Sequence, residues 1–222
     1  MKTFSFVPWV GLIAGLSSLP VCAQHTPWSL HAGFGTLRFS PSSQVEVAGR
    51  SVPGADIRVS DSHSVALEVG YDLTAQLTLR MAFGAPPSAT LRTGGALNGL
   101  VPPLTGKLGE VKYMPLAPSI TYRFGSHGPI RPYVGAGVNH MRVLSTSDAD
   151  VSNLRVQHAT GPLLQAGLDM PLDPRWSLYL DARKVWLKAT ATGSLHALGG
   201  LPVRTEINLR PVTVFAGVGY RF

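Results

Sequence analysis

Residues 212–222 read Val-Thr-Val-Phe-Ala-Gly-Val-Gly-Tyr-Arg-Phe. Val212, Val214, Ala216, Val218, Tyr220 and Phe222 share one parity, while Thr213, Gly217, Gly219 and Arg221 share the other. A period of two sends alternate residues to opposite faces of an extended strand. At about ten residues, such a run is long enough to cross a bilayer as a tilted strand. The same alternation recurs over 28–39, 63–72, 76–84, 111–124, 131–142, 161–171, 175–190 and 205–222. That makes eight segments, an even number, and helical periodicity is absent between them.

The connections set the topology. They cover 40–62, 73–75, 85–110, 125–130, 143–160, 172–174 and 191–204, and long ones alternate with short ones throughout. This rhythm predicts an all-β fold, an eight-stranded antiparallel up-and-down transmembrane β-barrel with short periplasmic turns and long external loops. One face of each strand is aliphatic and aromatic; the other holds Gly, Gln165 and the charges Glu68, Arg80, Asp169, Asp181 and Arg183. A soluble barrel turns its apolar face inward and a membrane barrel turns it outward to lipid. Alternation alone fits both, so the choice rests on the loop rhythm and on the start of the chain.

That start has the composition of a secretory leader. Lys2 is followed by an uncharged apolar run over 4–19, with Val21 and Ala23 at the cleavage positions before Gln24. Residues 1–23 are therefore expected to be a signal peptide and 24–222 the barrel. A lipoprotein reading would use Cys22, which Val21 fits poorly. The run is too short, and too broken by Pro8 and Pro20, for a membrane-spanning helix.

Composition narrows the classes further. The 222 residues are 45% hydrophobic and only 14% charged, with 24 Gly, 18 Pro and one Cys. So few charges exclude an acidic disordered tail or a coiled coil, and one cysteine excludes a disulfide framework. The net charge of +7 raises nucleic acid as a partner. Most of the basic residues, however, lie in or beside the long loops: Arg38, Arg50, Arg58, Arg92, Lys107, Lys112, Arg142, Arg155, Lys188, Arg204 and Arg210. In an exported barrel that level meets outer-membrane lipid and lipopolysaccharide phosphates, which suit Arg and Lys. A nucleic-acid role is excluded on the same ground. Trp28, Tyr71, Phe124, Tyr133, Trp176, Tyr220 and Phe222 fall at strand ends beside the short turns and are expected to form an interfacial girdle.

Several segments resemble the OmpW family of eight-stranded outer-membrane barrels. Arg131-Pro132-Tyr133-Val134-Gly135-Ala136-Gly137-Val138-Asn139 is similar to the family's central motif. Pro115-Leu116-Ala117-Pro118 with Tyr122-Arg123-Phe124 resembles its Leu-Pro-Pro strand, in a different residue order. The segment 71–86 is similar to its second hairpin, and 209–222 to its closing strand. The resemblance implies passage of small hydrophobic molecules as the function. It also implies that Tyr220 and the terminal Phe222 form the signal read by the outer-membrane barrel insertion machinery.

Three groups of residues are candidates for that function. Leu91, Leu97, Leu100, Val101, Leu104 and Leu108, with Leu195, Leu198 and Leu201, make two loops unusually apolar. They would form either a hydrophobic funnel over the barrel mouth or a lid packed on itself. Pro115 and Pro118 cannot donate to a sheet ladder. They mark either a lateral wall opening for a small hydrophobic solute or a bulge without a transport role. The lumen charges Glu68, Arg80, Asp169, Asp181 and Arg183 carry both signs and can pair as a plug, since eight strands leave little interior space. No cofactor is expected, and the chain shows no Gly-x-Ser-x-Gly or His-Glu-x-x-His motif. A structural or receptor barrel with a plugged lumen is the alternative. A lipid-modifying enzyme using His63 or His140 is a remoter one.

Overall fold

The computed structural model describes residues 26–99, 104, 106–125 and 128–222. The expected signal peptide lies outside the described residues, as do Leu100 and Val101. The first strands in chain order are β1 (Trp28–Arg38), β2 (Ser42–Val47), β3 (Arg50–Ser51), β4 (Ala55–Val59) and β5 (Ser62–Asp72). Next come β6 (Leu77–Gly84), β7 (Ser88–Gly95), β8 (Lys107–Arg123), β9 (Arg131–Asp148) and β10 (Val151–Val156). The last five are β11 (Ala159–Pro171), β12 (Trp176–Val185), β13 (Leu187–Leu195), β14 (Leu201–Leu209) and β15 (Val212–Arg221).

Eight of these close a ring in the order β8-β6-β5-β1-β15-β12-β11-β9, with β9 pairing back to β8. All neighbours are antiparallel, and the start of the first strand and the end of the last meet at the short-turn side, where the Phe222 N–H donates to the Trp28 carbonyl at 3.2 Å. The polarity is inverted as a lipid environment requires. Phe34, Val65, Leu79, Ile120, Leu164 and Val218 are exposed, while Glu68, Arg80, Asp181 and Arg183 are buried.

The segments 40–62, 85–110, 143–160 and 191–204, expected as loops, are mostly sheet. β4 and β7 pair with each other, and β7 continues beside the upper part of β8. A second sheet runs β10-β13-β14-β2-β3. The two parts meet at Ser43, whose Oγ donates to Asp56 Oδ1 and accepts from the Ile57 N–H, each at 2.8 Å. The wall thus rises well beyond the bilayer.

Side-chain chemistry trades faces at the boundary while strand parity is kept. Along β12 and β13 the inward positions run Tyr179, Asp181, Arg183, then Val185, Leu187, Ala189, Ala191. The outward ones run Leu178, Leu180, Ala182, then Lys184, Trp186, Lys188. β8 makes the same exchange in reverse: Val111 and Tyr113 face inward above, and Ser119 and Thr121 below. Below the switch the outside meets lipid; above it the outside meets water, so the apolar residues there turn inward and build a core as in a soluble sheet. This physical reason explains why the expected loops are ordered strands.

Of the expected girdle, Trp28, Phe124, Trp176 and Phe222 are exposed at the short-turn rim, with edge-on contacts such as Trp28–Tyr71 at 4.8 Å and Trp176–Tyr220 at 4.9 Å. Tyr133 is an exception. It is 1% exposed and points into the lumen, because it shares parity with Gly135 and Gly137 rather than with Val134.

Candidate functional site

The lower lumen holds one connected charge network. Strands β5, β6, β11 and β12 bring together Glu68, Arg80, Asp169, Asp181 and Arg183, all of which sequence reasoning placed on the lumen face. Arg80 donates to Glu68 at 2.7 Å, to Asp169 at 3.3 Å and to Thr121 Oγ1 at 3.1 Å. Arg183 bridges Glu68 and Asp181. Asp181, with no exposed surface, also accepts from the Tyr133 hydroxyl at 2.7 Å. The Tyr133 ring lies under the Arg80 guanidinium, 4.3 Å from ring centroid to Cζ. Buried charges are tolerable only when paired and hydrogen-bonded, and breaking such a set from one side costs about 3–5 kcal/mol. The network fills the lower lumen with buried, mutually paired charges.

Sequence reasoning missed Tyr133 and His31 as members. His31 comes within 4.0 Å of Glu68 and 3.9 Å of Asp169. Both residues stand on the small, polar parity of their strands, a signal that would have placed them inward.

Above this network, three adjoining cavities form an apolar column. The lowest, about 70 Å³, is lined by Leu37, Phe39, Phe83, Tyr113, Pro115, Met141 and Phe215, and reaches down to Arg183. The next, about 30 Å³, shares Phe39, Tyr113 and Met141 with it and adds Val59, Leu91, Ile207 and Leu209. The outermost, also about 30 Å³, shares Leu91 and adds Val45, Ile57, Leu97, Leu104, Leu108, Leu154 and Leu195. Leu91, Leu97, Leu104, Leu108 and Leu195 therefore come together, as buried or half-buried members of a packed interior rather than of an open loop surface. Leu198 packs against this cluster from the 3-10 turn His196–Leu198. Leu201, 41% exposed, stands away from it.

Two ladders are interrupted along β8. Its ladder to β6 ends at Phe83–Leu116, and its ladder to β7 begins at Ser88–Lys112. Between them, Pro115 faces the crossing Ala85-Pro86-Pro87, where the Tyr113 N–H to Pro87 carbonyl bond of 3.2 Å spans the gap. On the β9 side the register runs to Leu116–His140 and resumes only at Ser119–Gly137, skipping Ala117 and Pro118. Pro118 is exposed to the lipid side and Pro115 is half-buried against the lowest cavity. The two prolines thus interrupt different ladders of one strand.

The histidines weighed for catalysis lie elsewhere. His63 stacks on Phe34 with ring centroids 5.8 Å apart, and His140 Nδ1 lies 2.8 Å from Thr160 Oγ1. Among the described residues no group of His, Cys, Asp or Glu is arranged to hold a metal ion.

Known proteins share this architecture over nearly the whole chain. The sequence profile of the OmpW family matches residues 28–222. Dibenzothiophene metabolism operon protein PahQ of Pseudomonas aeruginosa is 30% identical over 203 residues, which cover 91% of this chain and 92% of PahQ. Outer membrane protein W of Vibrio cholerae is 28% identical over 222 residues, covering 96% and 97% of the two chains. The crystal structure of outer membrane protein OprG from Pseudomonas aeruginosa superposes with a TM-score of 0.80 at 20% identity, covering 88% of this chain and 95% of OprG. With the closed eight-strand ring, its lipid-facing apolar surface and a family match running from the first barrel strand to the last residue, the chain belongs to the OmpW family of outer-membrane β-barrels.

Proposed function

We propose that this barrel lets small hydrophobic molecules cross the lipopolysaccharide layer and leave sideways into the outer membrane. The observation that carries the reading is the coincidence, at one level of the barrel, of the floor of the apolar column at Arg183 and the interrupted wall at Pro115. An apolar solute in the column is shielded from water and charge, so its transfer is favourable. Going straight down would require opening the plug, at about 3–5 kcal/mol for a broken buried pair. Going sideways requires giving up a ladder bond worth about 0.5–1.5 kcal/mol. The sideways route wins by the difference.

The cavities are narrow, the upper two each about 30 Å³. Side chains such as Leu91 and Met141 must swing to admit a ring, at about 0.5–1.5 kcal/mol for each strained rotamer. The name of PahQ ties that relative to dibenzothiophene metabolism, and a flat apolar aromatic of that kind suits a column lined by Phe39, Phe83, Tyr113 and Phe215. In this reading, residues 1–23 direct export and are removed, and Tyr220 with Phe222 engages the barrel insertion machinery. The exposed basic residues of the upper wall meet lipopolysaccharide.

Uptake of a hydrophobic fluorophore into liposomes tests the route. Replacing both Pro115 and Pro118 with Thr restores the ladder donors and should slow entry; unchanged entry refutes a lateral exit. The narrowness of the upper cavities favours one other reading, a closed receptor barrel whose raised sheet binds a ligand. Normal uptake with Leu104→Gln would count for it.

A further inference from the structure

Below the plug, the periplasmic end of the lumen opens into a separate cavity of about 180 Å³ that the transport reading does not use. Four arginines line it, each from a different part of the wall: Arg123 on β8, Arg131 on β9, Arg175 in the turn before β12 and Arg221 on β15. The acids nearby are mostly committed. Asp72 takes Arg221 at 3.3 Å and Arg123 at 3.6 Å. Asp169 gives Oδ2 to Arg80 at 3.3 Å, while its Oδ1 has no hydrogen-bond partner. Asp173 caps its own turn, accepting from the Arg175 and Trp176 N–H groups at 2.7 and 2.6 Å. Among the described residues Arg131 and Arg175 make no ion pair. Arg123, only 8% exposed, and Arg131 each keep a buried Nε without a hydrogen-bond partner, as His31 does at Nδ1.

We propose that this periplasmic mouth is a binding site for a phosphate-class oxyanion. Four guanidinium groups face Asp72 and Asp173, an excess of two, and the network above, where Glu68, Asp169 and Asp181 share Arg80 and Arg183, takes back one, so the mouth keeps one positive charge and gathers more guanidinium donors than the two oxygens of one carboxylate engage. Guanidinium forks match phosphate oxygens in pairs. The partly enclosed site screens charge less than open water does. Arg131 and Arg175 are the principal partners, since among the described residues neither makes an ion pair.

The phosphate has two sources, free in the periplasm or on an inner-leaflet lipid headgroup beside the Trp176 and Tyr220 rim. The test uses the folded barrel in a neutral maltoside detergent, following backbone and arginine side-chain NMR signals at constant ionic strength. Inorganic phosphate is titrated in one arm, phosphatidylglycerol in another, and chloride in a third. Saturable shifts at Arg131, Arg175 and Ser177 with inorganic phosphate assign a free anion; the same shifts with the lipid alone assign a headgroup. Arg131→Gln and Arg175→Gln should each weaken binding about tenfold, the scale of one charge-assisted hydrogen bond. Lys188→Gln, on the outer face above the membrane, should leave it unchanged. Heat-modifiable migration shows that each variant is folded. Absence of shifts in both phosphate arms, equal shifts with chloride, or undiminished binding in both arginine variants overturns the proposal.

Discussion

Gly167 has no room for a side chain: an added Cβ would lie 2.3 Å from the Tyr133 hydroxyl and 2.5 Å from the Leu180 carbonyl. Gly33 makes the same allowance for Tyr179, at 2.2 Å from its hydroxyl. The lumen is filled by large side chains laid against bare backbone, which is how a narrow barrel accommodates them. Gly167→Ala should push Tyr133 off Asp181 and destabilise the barrel by about 1–3 kcal/mol, as overpacking does; urea unfolding in lipid vesicles measures it. Arg80→Ala strands Asp169 and leaves Glu68 with Arg183 alone, so its cost should be larger, about 3–5 kcal/mol. Parity made the five lumen charges legible in the sequence. Their pairing was not, because nothing local says that Arg80 on β6 reaches Asp169 on β11. Tyr133 was misplaced because its position at a strand end was weighed above its parity.

The elements differ in how plainly they announce themselves. The turn at 172–175 is set by Asp173, whose carboxyl accepts two backbone N–H bonds that hold it below the usual aspartate range. A depressed pKa means that this stabilisation is complete above the unfolded-state value and is lost as pH falls through the lower folded value. The Arg175 and Trp176 amide resonances should therefore titrate with a midpoint below that of a free aspartate, and Asp173→Asn should abolish the titration. The barrel strands were legible because lipid outside and polar lumen inside give a clean period of two. The upper strands were hidden for the opposite reason. β4, Ala-Asp-Ile-Arg-Val, and β14, Leu-Pro-Val-Arg-Thr-Glu-Ile-Asn-Leu, also alternate, but with apolar residues on the inward parity. They are short and bounded by Gly and Pro, and they run directly into barrel strands of reversed polarity, β5 and β15. The change of face at Lys184–Val185 is the signal that reads them, and it marks the outer membrane boundary.

At the scale of the whole molecule, the barrel and its raised sheets enclose three environments in series: an apolar column above, a network of paired charges in the middle and an arginine-lined mouth below. The closed ring followed from strand count and loop rhythm alone. The column did not, since it exists only because strands far apart in sequence, such as β2, β7, β10 and β13, converge on one core. Filling that core should close the route without touching the plug. Ala89→Phe, at a cavity of about 30 Å³, is expected to slow solute entry while the membrane part keeps its unfolding midpoint. Parallel uptake and unfolding measurements separate the two effects. The most direct test of the central claim is the entry rate of a small hydrophobic fluorophore into liposomes carrying the folded barrel, against liposomes carrying a plugged eight-stranded barrel of another family. The account predicts faster entry through this protein, with the excess lost in the Pro115→Thr, Pro118→Thr double variant. Entry no faster than the control would contradict it.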